Sequence, residues 1–112
     1  MSDFNDYQWA CTDTAIYKDG EEFQYLALGL ASEAGEVCDK FKKLMRDRED
    51  GLDGLPMEDR MAIAHELGDV LWYLAMIAYE LDFNLGHIAM WNQEKLKARK
   101  EKNKIKGSGD NR

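Results

Sequence analysis

Residues 28–39 read LGLASEAGEVCD. Together with its flanks the stretch has the period of an amphipathic helix, placing Leu26, Leu30, Val37, Phe41 and Leu44 on one stripe. Glu33 falls between Leu30 and Val37, where an apolar side chain belongs. A second stretch repeats the anomaly: Ile63, Val70, Leu74, Ile77 and Leu81 form a stripe, and Glu66 fills the slot between Ile63 and Val70. Each glutamate has an acidic partner three residues on, Glu36 after Glu33 and Asp69 after Glu66, and residues three apart share a helix face. If the two stripes pack together, four carboxylates converge between two helices. Buried like charges cost several kcal/mol each, even after relaxation, unless something compensates them. No basic residue lies on either stripe beside these acids. A divalent cation compensates well, and an all-oxygen donor set with room for water and phosphate selects Mg²⁺, with Mn²⁺ as its natural substitute.

Two other readings of the acids compete. They can sit at a bundle edge as solvated charges, but two matching pairs in matching slots make that the weaker account. A di-iron carboxylate bundle needs Glu-x-x-His on two helices. Here Glu33 and Glu66 are followed three residues later by Glu36 and Asp69. His65 points about 100° away from Glu66 around the helix, and His87 has no acid at the required spacing. The run HELGD at 65–69 is not the HExxH zinc signature.

Working outward, the sequence predicts four helices: 4–17, closed by KDG at 18–20; 22–49; 57–81; and 85–104, with Asn84 as its N-cap. DGLDGLP at 50–56 reads as a loop from its glycines and the single proline. The second and third helices are long and their connection short, which favours antiparallel neighbours in a bundle. The expected fold is all-α, four-helix-bundle-like and oligomeric, with residues 1–104 as one catalytic domain and 105–112 as a basic, polar tail. Oligomerisation is expected because VLWYLAMIAY at 70–79 is apolar nearly all round and needs cover on every side. A homodimer or homotetramer with this helix near the interface supplies it. The same run is about half the length needed to cross a bilayer, so no membrane partner is expected. MSDFND at the start lacks a signal-peptide layout, and Cys11 and Cys38 read as two free thiols of a reducing cytoplasm.

Net charge is −7 over 112 residues, and it divides unevenly: residues 95–112 carry eight Lys or Arg against Glu101 and Asp110, so the remainder carries −13. A basic tail by itself points to nucleic acid. The acidic body argues against a broad nucleic-acid surface and suits cations.

LASEAGEV at 30–37, followed by ELGDVLWYL at 66–74, resembles the all-α nucleotide pyrophosphohydrolases of the MazG type, whose relatives include dCTP pyrophosphatases, phosphoribosyl-ATP pyrophosphatases and dimeric dUTPases. The resemblance runs from about Phe23 to the C-terminus, and NQEKLKARK at 92–100 with the closing KGSGDNR is similar to the ends of small, often phage-encoded members. Where many members have a further Glu, this chain has Ser32. The resemblance implies hydrolysis of a (deoxy)nucleoside triphosphate to monophosphate and pyrophosphate, with Mg²⁺ held by Glu33, Glu36, Glu66 and Asp69. It places the enzyme in the cytoplasm of a bacterium or a phage-infected cell, controlling nucleotide pools. Glu33 or Glu36 would take the proton of the attacking water. Lys40 and Lys43, on the Glu36 side of their helix, are candidates for phosphate contact. So are Asn92, Lys95 and Arg99, which share a face and match an N-x-x-K-L-x-x-R stretch of relatives, and Lys106 and Arg112 of the tail. Among the aromatics Trp9, Tyr17, Phe23, Trp72, Tyr73 and Trp91, the expected base-stacking pair is Trp9 and Tyr73. Two competing functions remain open: hydrolysis of a guanosine tetraphosphate alarmone or modified nucleotide, and a catalytically silent module that binds nucleic acid or a protein through its basic arm.

Overall fold

The computed structural model describes residues 3–102. Among them are four α-helices, α1 (Phe4–Cys11), α2 (Glu22–Asp47), α3 (Met57–Glu80) and α4 (Leu85–Glu101), with a 3₁₀ turn at Thr12–Thr14 and no strand. The all-α expectation holds. The expected boundary between domain and tail at 104/105, and the tail candidates Lys106 and Arg112, lie outside the described residues.

α2 and α3 form the long antiparallel pair that their stripes require. Gly29 of α2 faces Tyr73 of α3, and four residues along α2 Glu33 faces back to Asp69, so the numbers run in opposite directions. α2 stops at Asp47 because Arg48 turns to extended backbone. Its guanidinium donates to the carbonyls of Gly51 at 2.9 Å and Asp53 at 2.8 Å, which folds the glycine-rich connection back on itself. α3 is long and apolar enough by composition to span a membrane. Its acidic pair and its packing along α2 mark it instead as a bundle helix.

The first helix is shorter than its sequence predicts. Asp3 caps it, accepting from the Asp6 N–H at 2.8 Å. It ends at Cys11 because TDT at 12–14 turns its hydroxyls on the backbone. Thr12 donates to the Trp9 carbonyl at 2.6 Å and Thr14 to that of Cys11 at 3.1 Å, tightening the chain into a 3₁₀ turn.

The turn between α3 and α4 is a Schellman ending. Asp82 takes the left-handed conformation (φ 63°), the Phe83 N–H returns to the Ala78 carbonyl at 2.9 Å, and the Asp82 N–H to that of Tyr79 at 3.0 Å. Asn84 occupies the N-cap position of α4, but its side chain makes no capping bond. The caps come from α1: Gln8 Oε1 accepts from the Leu85 N–H at 3.0 Å and Asn5 Oδ1 from the Gly86 N–H at 2.8 Å. Gln8 is buried and fully used, because its Nε2 also donates to the carbonyls of Ala75 at 3.1 Å and Phe83 at 3.0 Å.

The core sits at this end of the molecule, where Cys11, Leu26, Ala75, Met76, Ala78 and Leu85 are buried together. α4 packs on α1 and α3 rather than on α2. Along the far half of the α2–α3 pair the only buried apolar residue is Ile63.

Candidate active site

The row Tyr25, Gly29, Glu33 follows i, i+4 spacing along α2 and faces Asp69 and Tyr73 of α3. Carboxylate oxygens of Glu33, Glu66 and Asp69 all lie within 4.8 Å of one another. Glu33 and Glu66 are half-buried and Asp69 is exposed. Burial holds the Glu33 carboxyl above its ordinary pKa, and the charges of Asp69, Glu66 and Glu36 push it further the same way. The donor set is all carboxylate oxygen and open on one side, which fits a hard divalent cation with free positions for water and phosphate.

Beside the acids lies a cavity of about 320 Å³ lined by Thr14, Tyr25, Glu33, Asp69, Trp72 and Tyr73. The Trp72 indole N–H donates to the Thr14 hydroxyl at 2.8 Å, tying the 3₁₀ turn to α3 at the cavity rim. The Tyr73 ring stands edge-on to Trp72 at 5.0 Å and tilted to Tyr25 at 6.3 Å. Its phenol is held above its ordinary pKa by burial, then by the neighbouring Tyr25 phenol, with smaller contributions from the charges around it, Glu33 and Asp69 among them. Tyr17 lies beyond Tyr25, with ring centres 5.7 Å apart, and donates to the Glu80 carboxylate. Gly29 makes the arrangement fit. A Cβ there would stand 2.1 Å from Tyr73 Cε1 and 2.3 Å from Cζ, inside the ring's own volume.

A helical pair presenting clustered acids beside an aromatic cavity can bind a nucleotide through a cation at its phosphates and a stacked base or sugar. Residues 21–103 match the family model described as the MazG nucleotide pyrophosphohydrolase domain. The chain belongs to the MazG family. The Gene 37 protein of Mycobacterium phage L5 is 44% identical to it, an alignment that covers 95% of this chain and 96% of that protein. The family supports nucleotide pyrophosphohydrolase chemistry in general and the use of a divalent metal, and the acid cluster is a candidate place for one.

In this MazG domain the structure brings together three of the four expected acids. Glu36 is exposed and outside the cluster. It stands about 60° further round α2 from the seam than Glu33, close enough to act on Glu33 through its charge. Lys40 is half-buried one turn beyond Glu36. Lys43 is tied to Asp39 at 2.7 Å, as Lys42 is at 3.1 Å. Asn92 and Lys95 are exposed on α4, Arg99 is half-buried there, and none of the three lines the cavity. Tyr73 lines it; Trp9 does not, because α1 buries Gln8 and Cys11 and leaves Trp9 71% exposed on another face. Trp72, in the wider aromatic set, takes the place expected of Trp9. Tyr25 and Thr14 were not foreseen. The signal for Tyr25 was its i, i+8 relation to Glu33 through a glycine that an isolated helix would avoid.

Proposed function

We propose that this MazG protein hydrolyses a (deoxy)nucleoside triphosphate to the monophosphate and pyrophosphate in the cytoplasm, with Mg²⁺ at Glu33, Glu66 and Asp69 and with a homodimer or homotetramer as the working form. The observation that carries the reading is the three-carboxylate cluster opening into an aromatic cavity: phosphates belong at the first and the nucleoside in the second. Mg²⁺ bound there would neutralise phosphate charge and make a coordinated water more acidic. Tyr73 and Trp72 would flank the base or sugar, fixing where the α-phosphorus sits relative to the acids. Glu36, outside the cluster and exposed, is the assigned proton acceptor. As water attacks the α-phosphorus its proton passes to Glu36, the bond from the α-phosphorus to the bridging oxygen breaks, and pyrophosphate leaves. Lys40, half-buried one turn beyond Glu36 on α2, is the candidate to steady the outgoing phosphates.

The test is pyrophosphate release from a panel of ribo- and deoxyribonucleoside triphosphates, with guanosine tetraphosphate and modified nucleotides included, in Mg²⁺, Mn²⁺ and EDTA. We expect turnover with a triphosphate that EDTA abolishes, and loss by orders of magnitude in Glu36→Gln and in Asp69→Asn. Absence of turnover on every substrate, together with no thermal stabilisation by millimolar Mg²⁺, would overturn the proposal. Turnover of the alarmone alone would move the substrate class.

A further inference from the structure

We infer that Gly29 is a positioning residue for the nucleoside cavity: by lacking a Cβ it seats the Tyr73 ring against α2, one turn from Glu33, and so sets the width of the cavity next to the acids. The inference rests on the hydrolase reading for what the cavity holds. Its geometry is independent of that reading.

Of the three glycines inside α2 and α3, Gly35 and Gly68 would meet nothing within 4 Å on gaining a Cβ, whereas at Gly29 the methyl would lie 2.1 to 2.7 Å from three atoms of Tyr73. A phenol ring cannot yield by bending, so it must swing as a whole. Tyr25 stands one turn before the notch and Glu33 one turn after it, on the same row. Trp72 stands edge-on to the ring, and its indole is pinned by the Thr14 hydroxyl. The ring's open side is the cavity itself, lined by Tyr25, Glu33, Asp69 and Trp72. A methyl group at position 29 therefore drives Tyr73 into the space the nucleoside would occupy and leaves the three carboxylates where they are. Gly29 touches no substrate; it acts through Tyr73.

A four-protein cycle tests this: wild type, Gly29→Ala, Tyr73→Ala and the double variant. For each, kcat and KM are measured on the best substrate, Kd is measured for a non-hydrolysable triphosphate analogue, and the melting midpoint is recorded with and without Mg²⁺. Gly29→Ala should raise KM and Kd about tenfold or more while keeping the Mg²⁺-induced rise in midpoint. In the Tyr73→Ala background the same substitution should change KM and Kd less than about twofold. There it should also raise the midpoint by about 2–8 °C, because alanine is the better helix former once the ring is gone. An equal penalty for Gly29→Ala in both backgrounds, or no penalty in the wild-type background, overturns the inference while leaving the hydrolase reading intact. A wild type that binds the analogue without turnover of any nucleotide overturns the hydrolase reading, and the binding arm of the cycle still decides the role of Gly29. A wild type that neither binds nor hydrolyses nucleotides removes both.

Discussion

Glu33 holds its proton to a higher pH in the folded chain than in an unfolded one, because folding takes water from it and sets Asp69 and Glu66 against it. A carboxyl whose folded pKa is raised contributes stability that is fully present below its unfolded pKa and is lost as pH rises through the folded value. The metal-free protein should therefore lose stability on going from the ordinary carboxylate range upward through the raised Glu33 pKa. Mg²⁺ has the opposite dependence, since it needs the carboxylate ionised, so its stabilising effect should grow across that window. At a hundredfold excess over its Kd, Mg²⁺ stabilises by about 2.7 kcal/mol. Glu33→Gln should raise the metal-free midpoint, flatten its pH dependence and remove most of the Mg²⁺ response. Thermal unfolding across acid to neutral pH, with and without Mg²⁺, checks all three, and a Mg²⁺ response retained in full by the variant would take Glu33 off the metal. The acids were legible in the sequence because one helical period puts Glu33 and Glu66 into apolar slots of their stripes. Glu36 shows where that reasoning stops. Spacing by three keeps a residue on the same broad face, but the extra rotation of about 60° decides whether it reaches the seam, and only packing fixes where the seam lies.

At the scale of elements, α1 works as a clamp more than as a bundle member. It is eight residues long, too short to hold itself helical, and Gln8 is its attachment. One amide side chain bonds the Ala75 carbonyl of α3, the Phe83 carbonyl of the turn and the first N–H of α4. Gln8→Leu keeps much of the volume and deletes all three bonds, leaving at least the Phe83 carbonyl and the Leu85 N–H without partners. Buried polar groups left so cost about 1–3 kcal/mol each, so the variant should lose about 2–6 kcal/mol in urea unfolding. The 3₁₀ turn follows α1 and carries Thr14 to the cavity rim, so KM should rise too. A loss under about 1 kcal/mol would show that water replaces the amide. None of this clamp was readable beforehand. Glutamine in a short amphipathic segment carries no pattern that names a partner 67 to 77 residues away. Asn84 looked like a self-sufficient N-cap only because sequence shows local candidates and hides distant ones. The second and third helices were legible to within two residues at their ends, and the fourth at its start, where glycine, proline and asparagine mark the boundaries. The first was not, because threonine hydroxyls competing for backbone carbonyls end a helix without a breaker.

The described residues form an open structure. Its Cα radius of gyration is 17.2 Å, against about 13 Å for a compact domain of this length. On α2, Phe23, Ala27, Leu30, Ala34, Phe41 and Met45 recur at intervals of three, four or seven; on α3, Ala64, Leu67, Leu71, Leu74 and Leu81 do the same. With 3.6 residues per turn, each row lies well to one side of Glu33 on α2 and of Asp69 and Tyr73 on α3. Because the helices are antiparallel, both rows turn to the same side, and the acid cluster turns to the other. Met45 is 59% exposed, Leu67 53% and Leu74 43%, on a face far larger than single scattered side chains would make. A second copy would offer the same two rows, self-complementary about a two-fold axis, and pairing through them would leave both acid clusters open to solvent. Leu67→Glu with Leu74→Glu should convert the wild-type assembly to a monomer in sedimentation equilibrium. The wild type's melting midpoint should rise with protein concentration, because association stabilises by mass action, and the double variant's should not. If the wild type sediments as a monomer at micromolar concentration with a midpoint independent of concentration, the apolar face has another purpose and the oligomer fails. If it associates and the double variant associates equally well, the interface lies elsewhere and the two rows do not form it.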